Sequence, residues 1–114
     1  MLFRSTIPGP LLPGDREFLE KWFTVYDMHG WLDVVPTGVS KATGMAHVLE
    51  ALGIPRENSI GVGDGSNDLP MIEFAGLGVA MGNAPEDVKL RADAVMESCA
   101  NDGVAVMIEK YVLE

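Results

Sequence analysis

Two acidic residues and an amide lie close together in a stretch that resembles the end of a strand and the start of a helix. Asp64, Asn67 and Asp68 follow the alternating apolar and glycine residues 60–63. Glycines on both sides of Asp64 allow the backbone to turn sharply there. In an open α/β sheet, ligands bind beyond the carboxyl ends of the strands. Two carboxylates at such a place predict a site for a hard cation, most simply Mg²⁺, bound by Asp64 and Asp68.

A simpler interpretation is that the same residues only shape a turn and cap a helix. Asp-Gly is a common turn dipeptide, and either Asn67 or Asp68 can cap the helix that follows. An EF-hand calcium loop is excluded, because the chain has Leu69 and Ala75 where a loop beginning at Asp64 would need Gly and Glu. The acidic turn by itself therefore leaves a metal site and a structural turn as alternatives.

Length, charge and cysteine content limit the classes of function. The 114 residues suffice for one ordinary domain, and the apolar content of 47% predicts a packed core. A net charge of −9, with the basic residues scattered, argues against nucleic acid or an anionic membrane as a partner. The sequence has no apolar run near the ~18 residues of a membrane helix, and its start is not typical of a signal peptide. The single Cys99 suits a reducing compartment, so we expect a cytoplasmic protein.

The first third of the chain predicts an irregular start followed by a small α+β unit. Residues 1–14 are expected to form an arm without helix or strand, because they are rich in proline and glycine. Asp15 is expected to cap a short helix, and strands are predicted at residues 25–26 and 31–35. Ser40 then predicts the start of a helix that ends at Gly53, with one apolar face formed by Met45, Val48, Leu49 and Leu52.

The remaining sequence alternates between short apolar strands and helices. Strands are predicted at 59–63, 77–81 and 94–96, and helices at 68–75, after Pro85 and from about residue 103. Short strands of this kind, alternating with helices, are typical of βαβ units and a parallel sheet. The sequence therefore predicts an α/β fold.

Four motifs in this order and spacing resemble those of the haloacid dehalogenase-like (HAD superfamily) phosphatases of the Cof type. They are Gly-Val-Ser-Lys at 38–41, Gly-Val-Gly-Asp-Gly-Ser-Asn-Asp-Leu-Pro-Met at 61–71, Val-Ala-Met-Gly-Asn-Ala at 79–84 and Asn-Asp-Gly-Val at 101–104. The resemblance implies a partial Rossmann-like core with a parallel sheet and flanking helices, preceded by a remnant of an α+β cap domain. It assigns residues 1–38 to the arm and cap remnant, and residues 39–114 to the C-terminal half of the core.

The resemblance also implies roles for individual residues. In this family a Mg²⁺-dependent aspartate takes the phosphoryl group from a small phosphorylated metabolite, and water then hydrolyses the aspartyl-phosphate. By position in the motifs, Asp64 is similar to the metal ligand and Asp68 to its supporting carboxylate, whereas Asn67 is similar to an amide that binds phosphate. Lys41 is similar to the catalytic lysine that neutralises the phosphate and the nucleophile. Its ordinary alternative is an exposed surface lysine.

One part of the family pattern is missing from the sequence. The family begins with a strand and Asp-x-Asp-Gly, which carries the nucleophile and the general acid, and the 114 residues contain no Asp-x-Asp. Residues 23–30 imitate it, with Asp27 in the place of the nucleophile. We reject Asp27 because too few residues separate it from Lys41 for a parallel crossover. We therefore expect the C-terminal part of a longer, here truncated, phosphatase that is inactive as an isolated chain.

The missing motif leaves two further expectations. The alternative to a phosphatase is a non-catalytic fragment that binds Mg²⁺ or phosphate, or that oligomerises. Without a neighbouring strand, residues 60–63 would form an open sheet edge that favours self-association.

Asn83 and Asn101 are expected to be helix caps, with a supporting role at the site as the alternative.

Overall fold

The computed structural model describes residues 5–114 and has the predicted α/β class. Its strands are β1 Ser5–Pro8, β2 Phe23–Asp27, β3 Trp31–Pro36, β4 Ile60–Gly63, β5 Leu77–Ala80 and β6 Ala94–Val95. Its α-helices are α1 Asp15–Glu20, α2 Lys41–Leu52, α3 Leu69–Phe74, α4 Glu86–Arg91 and α5 Gly103–Ile108, which continues as a π-helix over Glu109–Leu113. Within this described part, no helix has the length and apolar character needed to cross a membrane.

The first three strands form an antiparallel sheet in the order β1-β3-β2. The expectation of an irregular arm is wrong for Ser5–Pro8, because this segment pairs with β3 over its whole length. Pro8 is tolerated since β1 is an edge strand and the proline ends it. The predicted arm residues 1–4 lie outside the described part of the chain.

A tight hairpin joins β2 to β3 and confirms the two strands predicted there. His29 and Gly30 both have positive φ angles, 48° and 94°, which is the conformation of a two-residue type I′ turn. The sheet packs its inner face around Val25, Leu32 and Val34, with Leu19, Ile7 and Leu11 against them. Asp15 is the first residue of α1 rather than its cap, which is Gly14.

Helix α2 begins and ends as predicted, but its apolar face is only partly covered. Ser40 accepts a hydrogen bond from the backbone N–H of Thr43, whose hydroxyl accepts one from the N–H of Ser40. Gly53 ends the helix in the left-handed conformation, with φ 66°. No residue of the helix is buried, and Val48 and Leu52 are 57% and 66% exposed. Met45 and Leu49 are half-buried and α2 contacts α3, so the predicted apolar face is covered only in part within residues 5–114.

The predicted parallel sheet is confirmed and has the order β4-β5-β6. Helices α3 and α4 cover it through a core formed by Ile72, Ala80, Ala84 and Val88. At Gly78 an added Cβ would lie 2.1 Å from the carbonyl oxygen of Ile72, so α3 lies very close to β5. Strand β4 pairs with β5 and, among the described residues, with no strand on its other side.

Candidate functional site

The acidic turn folds back against the end of β4. The chain leaves β4 at Gly63, forms a 3₁₀ turn over Ser66–Asp68 and enters α3 at Leu69. A Cβ on Gly63 would lie 2.3 Å from the Cβ of Asp68, a distance that real Cβ atoms do not reach. A glycine is therefore required at the strand end, because the side chain of Asp68 occupies the space beside it.

The carboxylate of Asp68 binds both the turn and the lysine of α2. Its Oδ2 accepts hydrogen bonds from the backbone N–H groups of Asp64 and Gly65, each at 3.0 Å. Its Oδ1 accepts a hydrogen bond from the ammonium group of Lys41. Asp68 is 5% exposed, whereas the Lys41 side chain is about half exposed. A buried carboxylate thus orients an ammonium group that solvent can still reach.

Asp64 is exposed at the end of β4, and Asn83 holds its carboxylate. The Asn83 Nδ2 donates to Asp64 Oδ2 at 3.0 Å, and Asn83 Oδ1 accepts from the backbone N–H of Cys99 at 2.9 Å. The expectation that Asn83 caps α4 is wrong, because Pro85 occupies the cap and Asn83 bridges two loops instead. Asn101 does not cap α5 either, since Asp102 stands at that position.

The middle of the acidic turn is attached to the antiparallel sheet. Asn67 Nδ2 donates to Oδ2 of Asp33 at 3.1 Å, and the Ser66 hydroxyl donates to the carbonyl oxygen of Asp27 at 2.7 Å. Asp33 was missed by the sequence analysis, although an acid inside the apolar run Trp31–Pro36 was a usable signal. The structure therefore connects the sheet to the turn that contains Asp64 and Asp68.

Asp27 occupies the position in which the sequence imitates a nucleophile motif, but its setting is different. It ends β2 in the antiparallel sheet and does not follow a strand that lies parallel to β4. Its carboxylate forms an exposed ion pair with Arg16 at 2.6 Å. The pKa of Arg16 is raised by its hydrogen bond to Glu20 and by the charge of Asp27. The rejection of Asp27 as a nucleophile stays a prediction.

Comparison with known proteins identifies the family. The sequence model of the haloacid dehalogenase-like hydrolases matches residues 15–108. The chain belongs to the haloacid dehalogenase-like hydrolase family. This match covers β2 to β6 and includes all residues of the acidic turn, whereas β1 precedes it.

Curated HAD relatives include named phosphatases. The 5-amino-6-(5-phospho-D-ribitylamino)uracil phosphatase YcsE of Bacillus subtilis is 46% identical over 72% of this chain and 33% of its own length. The pyridoxal phosphate phosphatase YbhA of Escherichia coli is 38% identical over 77% of this chain and 32% of its own. The chain thus spans about a third of the length of these relatives.

Solved structures of HAD proteins share the fold. A haloacid dehalogenase-like hydrolase from Bacteroides thetaiotaomicron is 42% identical, with a TM-score of 0.75 over 94% of this chain and 43% of its own. The subclass IIB sugar phosphatase BT4131 is 32% identical, with a TM-score of 0.78 over 85% of this chain and 38% of its own. The partial Rossmann-like HAD core expected from the motifs is thereby confirmed.

The carboxylate oxygens of Asp64 and Asp68 suit a hard cation only if further ligands complete its coordination shell. The carboxylate of Asp64 is exposed, and its Oδ1 has no hydrogen-bond partner among the described residues. Asp68 already accepts from Lys41 and from two N–H groups, and an ionised carboxylate has about four acceptor positions. Within residues 5–114 no group of three or more His, Cys, Asp or Glu side chains is arranged to hold a metal ion. The metal role of Asp64 and Asp68 stays a prediction.

An open cleft of about 1120 Å³ lies beside the turn. Its walls come from the β2–β3 hairpin, the segment 9–14 with the start of α1, residues 65–66 of the acidic turn, and residues of α3 and α4. Lys41 and Asp64 are not among the residues that line it. The cleft therefore reaches the acidic turn at Gly65 and Ser66 but not at the Lys41–Asp68 pair.

Proposed function

We propose that this chain contributes the metal- and phosphate-binding part of a phosphatase that hydrolyses small phosphorylated metabolites through an aspartyl-phosphate. The observation that carries the proposal is the Lys41 ammonium held by the buried Asp68 at the carboxyl end of β4, next to the exposed Asp64. Relatives named as phosphatases of phosphorylated small molecules support the substrate class.

Asp64 is the proposed principal protein ligand of Mg²⁺. Mg²⁺ prefers oxygen ligands and is commonly bound through one or two carboxylates, with waters and substrate phosphate oxygens completing its shell. An exposed carboxylate with one oxygen fixed by Asn83 and the other available fits that requirement. When bound, the ion would stabilise negative charge on the phosphoryl group. Asp68 is proposed as the supporting carboxylate.

Lys41 is the proposed phosphate-binding and catalytic cation. Phosphoryl transfer depends mostly on positioning and on opposing the charge of the phosphoryl oxygens. Asp68 holds the ammonium in one place, and the half-exposed side chain leaves it accessible to an anion. Lys41 is also the first residue of α2, where free backbone N–H groups favour a negative charge. Asn67 is proposed to donate an amide hydrogen to the same phosphate.

The isolated chain is proposed to bind phosphate without turning it over. Its 114 residues contain no Asp-x-Asp, and Asp27 is paired with Arg16 in the antiparallel sheet. In line with this, we propose that residues 1–38 are the arm and cap remnant and that residues 39–114 are the C-terminal half of the HAD core. The change from antiparallel strands to the helix that begins at Lys41 supports this boundary. The free Cys99 suits a cytoplasmic setting.

The test compares binding and turnover in the same preparation. Inorganic phosphate is titrated against the ¹⁵N-labelled chain with and without Mg²⁺, and hydrolysis of p-nitrophenyl phosphate is measured in parallel. We expect saturable shifts at the acidic turn, which weaken in Lys41→Met and lose their Mg²⁺ dependence in Asp64→Asn. Lys110→Met and Asp87→Asn are matched controls, since both residues are exposed and lie outside the turn.

Two results would contradict the proposal. The first is phosphate binding that is no weaker in Lys41→Met than in the Lys110→Met control. The second is turnover by the isolated chain that disappears in Asp27→Ala, which would make Asp27 the nucleophile after all.

A second candidate function is a non-catalytic fragment that self-associates. It is favoured by β4, which has no strand on its outer side within residues 5–114, and by the exposed Val48 and Leu52 of α2. An open apolar edge offers unpaired N–H and C=O groups to another chain. We expect sedimentation velocity to detect dimers or larger species that Ile60→Lys in β4 reduces. Leu90→Lys, at an exposed position of α4, is the control, and a monomer at all concentrations would contradict the candidate.

A further inference from the structure

Asp33 is a buried carboxylate that the HAD motifs do not include. It lies in the middle of β3, the central strand of the antiparallel sheet, and is 2% exposed. Leu32 and Val34 point to the opposite face, where they pack in the core of the sheet, because side chains alternate along a strand. The face that carries Asp33 is therefore also covered, and part of its cover is the acidic turn.

Among its contacts, Asp33 accepts one hydrogen bond from its own sheet and one from the turn. The Thr6 hydroxyl of β1 donates to Oδ1 at 3.1 Å, and Asn67 Nδ2 donates to Oδ2 at 3.1 Å. An ionised carboxylate only accepts hydrogen bonds, so the nitrogen of the Asn67 amide, and not its oxygen, must face Asp33. The Asn67 oxygen is then turned towards Gly65, whose added Cβ would lie 3.0 Å from it.

This arrangement leaves one hydrogen of the Asn67 amide for a ligand. The amide has two N–H hydrogens, of which one is donated to Asp33. The second has no acceptor among the described residues and lies on the turn that also carries Asp64 and Asp68. The neighbouring Ser66 is attached to the same sheet through the carbonyl oxygen of Asp27. The turn is thus held at two successive residues by the antiparallel sheet.

We propose that Asp33 is a positioning residue for the phosphate site. It fixes the orientation of the Asn67 amide, so that the second N–H is presented to an anionic oxygen, and it links that orientation to the position of the antiparallel sheet. The inference rests on the proposed phosphate-binding function and adds a residue from outside the motifs. Asp33 itself does not touch the phosphate.

Positioning by Asp33 and the electrostatic effect of its charge have opposite consequences for phosphate binding, so one variant can separate them. A negative charge near an anion site weakens anion binding, so its removal alone should strengthen the binding of phosphate. Asp33→Asn also removes the constraint on orientation, because an asparagine offers both a donor and an acceptor to Asn67. Positioning therefore predicts weaker phosphate binding in this variant, and charge alone predicts tighter binding.

The experiment is an NMR titration of the full chain with inorganic phosphate in the presence of Mg²⁺. We expect the dissociation constant to rise about three- to tenfold in Asp33→Asn, which corresponds to about 0.7–1.4 kcal/mol, the net contribution of an ordinary hydrogen bond. Asp27→Asn is the matched control, because it removes an exposed carboxylate next to the same turn and should leave the constant unchanged or lower. In the wild type, phosphate should move one Asn67 amide proton and leave the other in place.

The outcomes separate the two proposals. Phosphate binding that is unchanged or tighter in Asp33→Asn would overturn the role of Asp33 and leave the phosphate site intact. A wild-type chain without saturable binding would overturn the proposed function, and with it the role of Asn67 towards an anion. If Asp33→Asn does not fold, the wild type decides through the scalar coupling across the Asn67–Asp33 hydrogen bond. A missing coupling, or two Asn67 protons that move equally, would contradict the inference.

Discussion

Replacement of Asp68 tests whether this side chain organises the acidic turn. Asp68→Ala removes the acceptor of two backbone N–H groups and the partner of Lys41. A buried N–H left without a partner costs about 1–3 kcal/mol. The N–H groups of Asp64 and Gly65 are only part-buried, so we expect about 1.5–3 kcal/mol for the two together. The half-exposed Lys41 contact adds about 0.5–1 kcal/mol. The expected loss is about 2–4 kcal/mol.

Asp68→Asn separates these contributions. Its remaining oxygen can still accept from both N–H groups, so only the ionic contact with Lys41 is lost, at about 0.5–1 kcal/mol. Lys41→Met should cost about the same, and the double variant Lys41→Met with Asp68→Asn little more than either single change, because both remove one interaction.

The free energy of unfolding is measured by urea denaturation followed through tryptophan fluorescence. The measurement is repeated at several protein concentrations, because self-association would make the midpoint depend on concentration. The reasoning is refuted if Asp68→Asn costs as much as Asp68→Ala. It is also refuted if Asp68→Ala costs less than the Lys41 contact alone, since the two N–H hydrogen bonds would then contribute nothing.

Three further predictions concern packing, capping and pH. Gly78→Ala brings a Cβ to 2.1 Å from the Ile72 carbonyl oxygen and should lower the free energy of unfolding by more than about 2 kcal/mol. In contrast, the Cβ of Gly44→Ala on α2 meets no atom within 4 Å, so this variant should be more stable by about 0.5–1 kcal/mol. Urea midpoints that shift in the same direction in both variants would contradict this prediction. Ser40→Ala should cost about 1 kcal/mol and Ser40→Gly a few tenths. A thermal midpoint of Ser40→Ala equal to that of the wild type would show that the cap contributes nothing. Burial raises the pKa of Tyr26 above its ordinary 10.0, so the folded chain binds the phenolic proton more tightly than the unfolded chain. The free energy of unfolding should therefore fall as pH rises from about 10 through the raised pKa, and it should fall less in Tyr26→Phe. An absorbance titration in which Tyr26 ionises at or below its ordinary pKa would disprove the argument.

The helices and strands were largely predictable, because their signals are local. Ser40 and Gly53 mark the ends of α2 through backbone hydrogen bonds and a left-handed φ that depend on a few neighbouring residues. The alternation of short apolar strands with helices predicted the parallel sheet for the same reason. Ser5–Pro8 was missed because proline-rich composition disfavours a strand, whereas pairing with β3 stabilises one.

The neighbours of the site residues were less predictable, because they come from distant parts of the chain. Asn83 had a capping position by sequence, but the parallel sheet brings it to Asp64, 19 residues earlier. Asp33 and Asn67 are 34 residues apart, one in the antiparallel sheet and the other in the turn after β4, so no spacing rule relates them. The exposure of Val48 and Leu52 could not be predicted either, since periodicity shows which face of a helix is apolar but not whether another element covers it.

The sequence by itself determined which groups this protein has for chemistry and where they stand along the chain: Asp64, Asn67 and Asp68 in a glycine turn, and Lys41 at the start of a helix. These features follow from backbone preferences over a few residues. The tertiary structure decided which donor meets which acceptor. Asp68 binds Lys41, Asn83 holds Asp64 and Asp33 holds Asn67 because the two sheets and α2 pack together, and packing over long distances in the chain is not encoded in any local pattern.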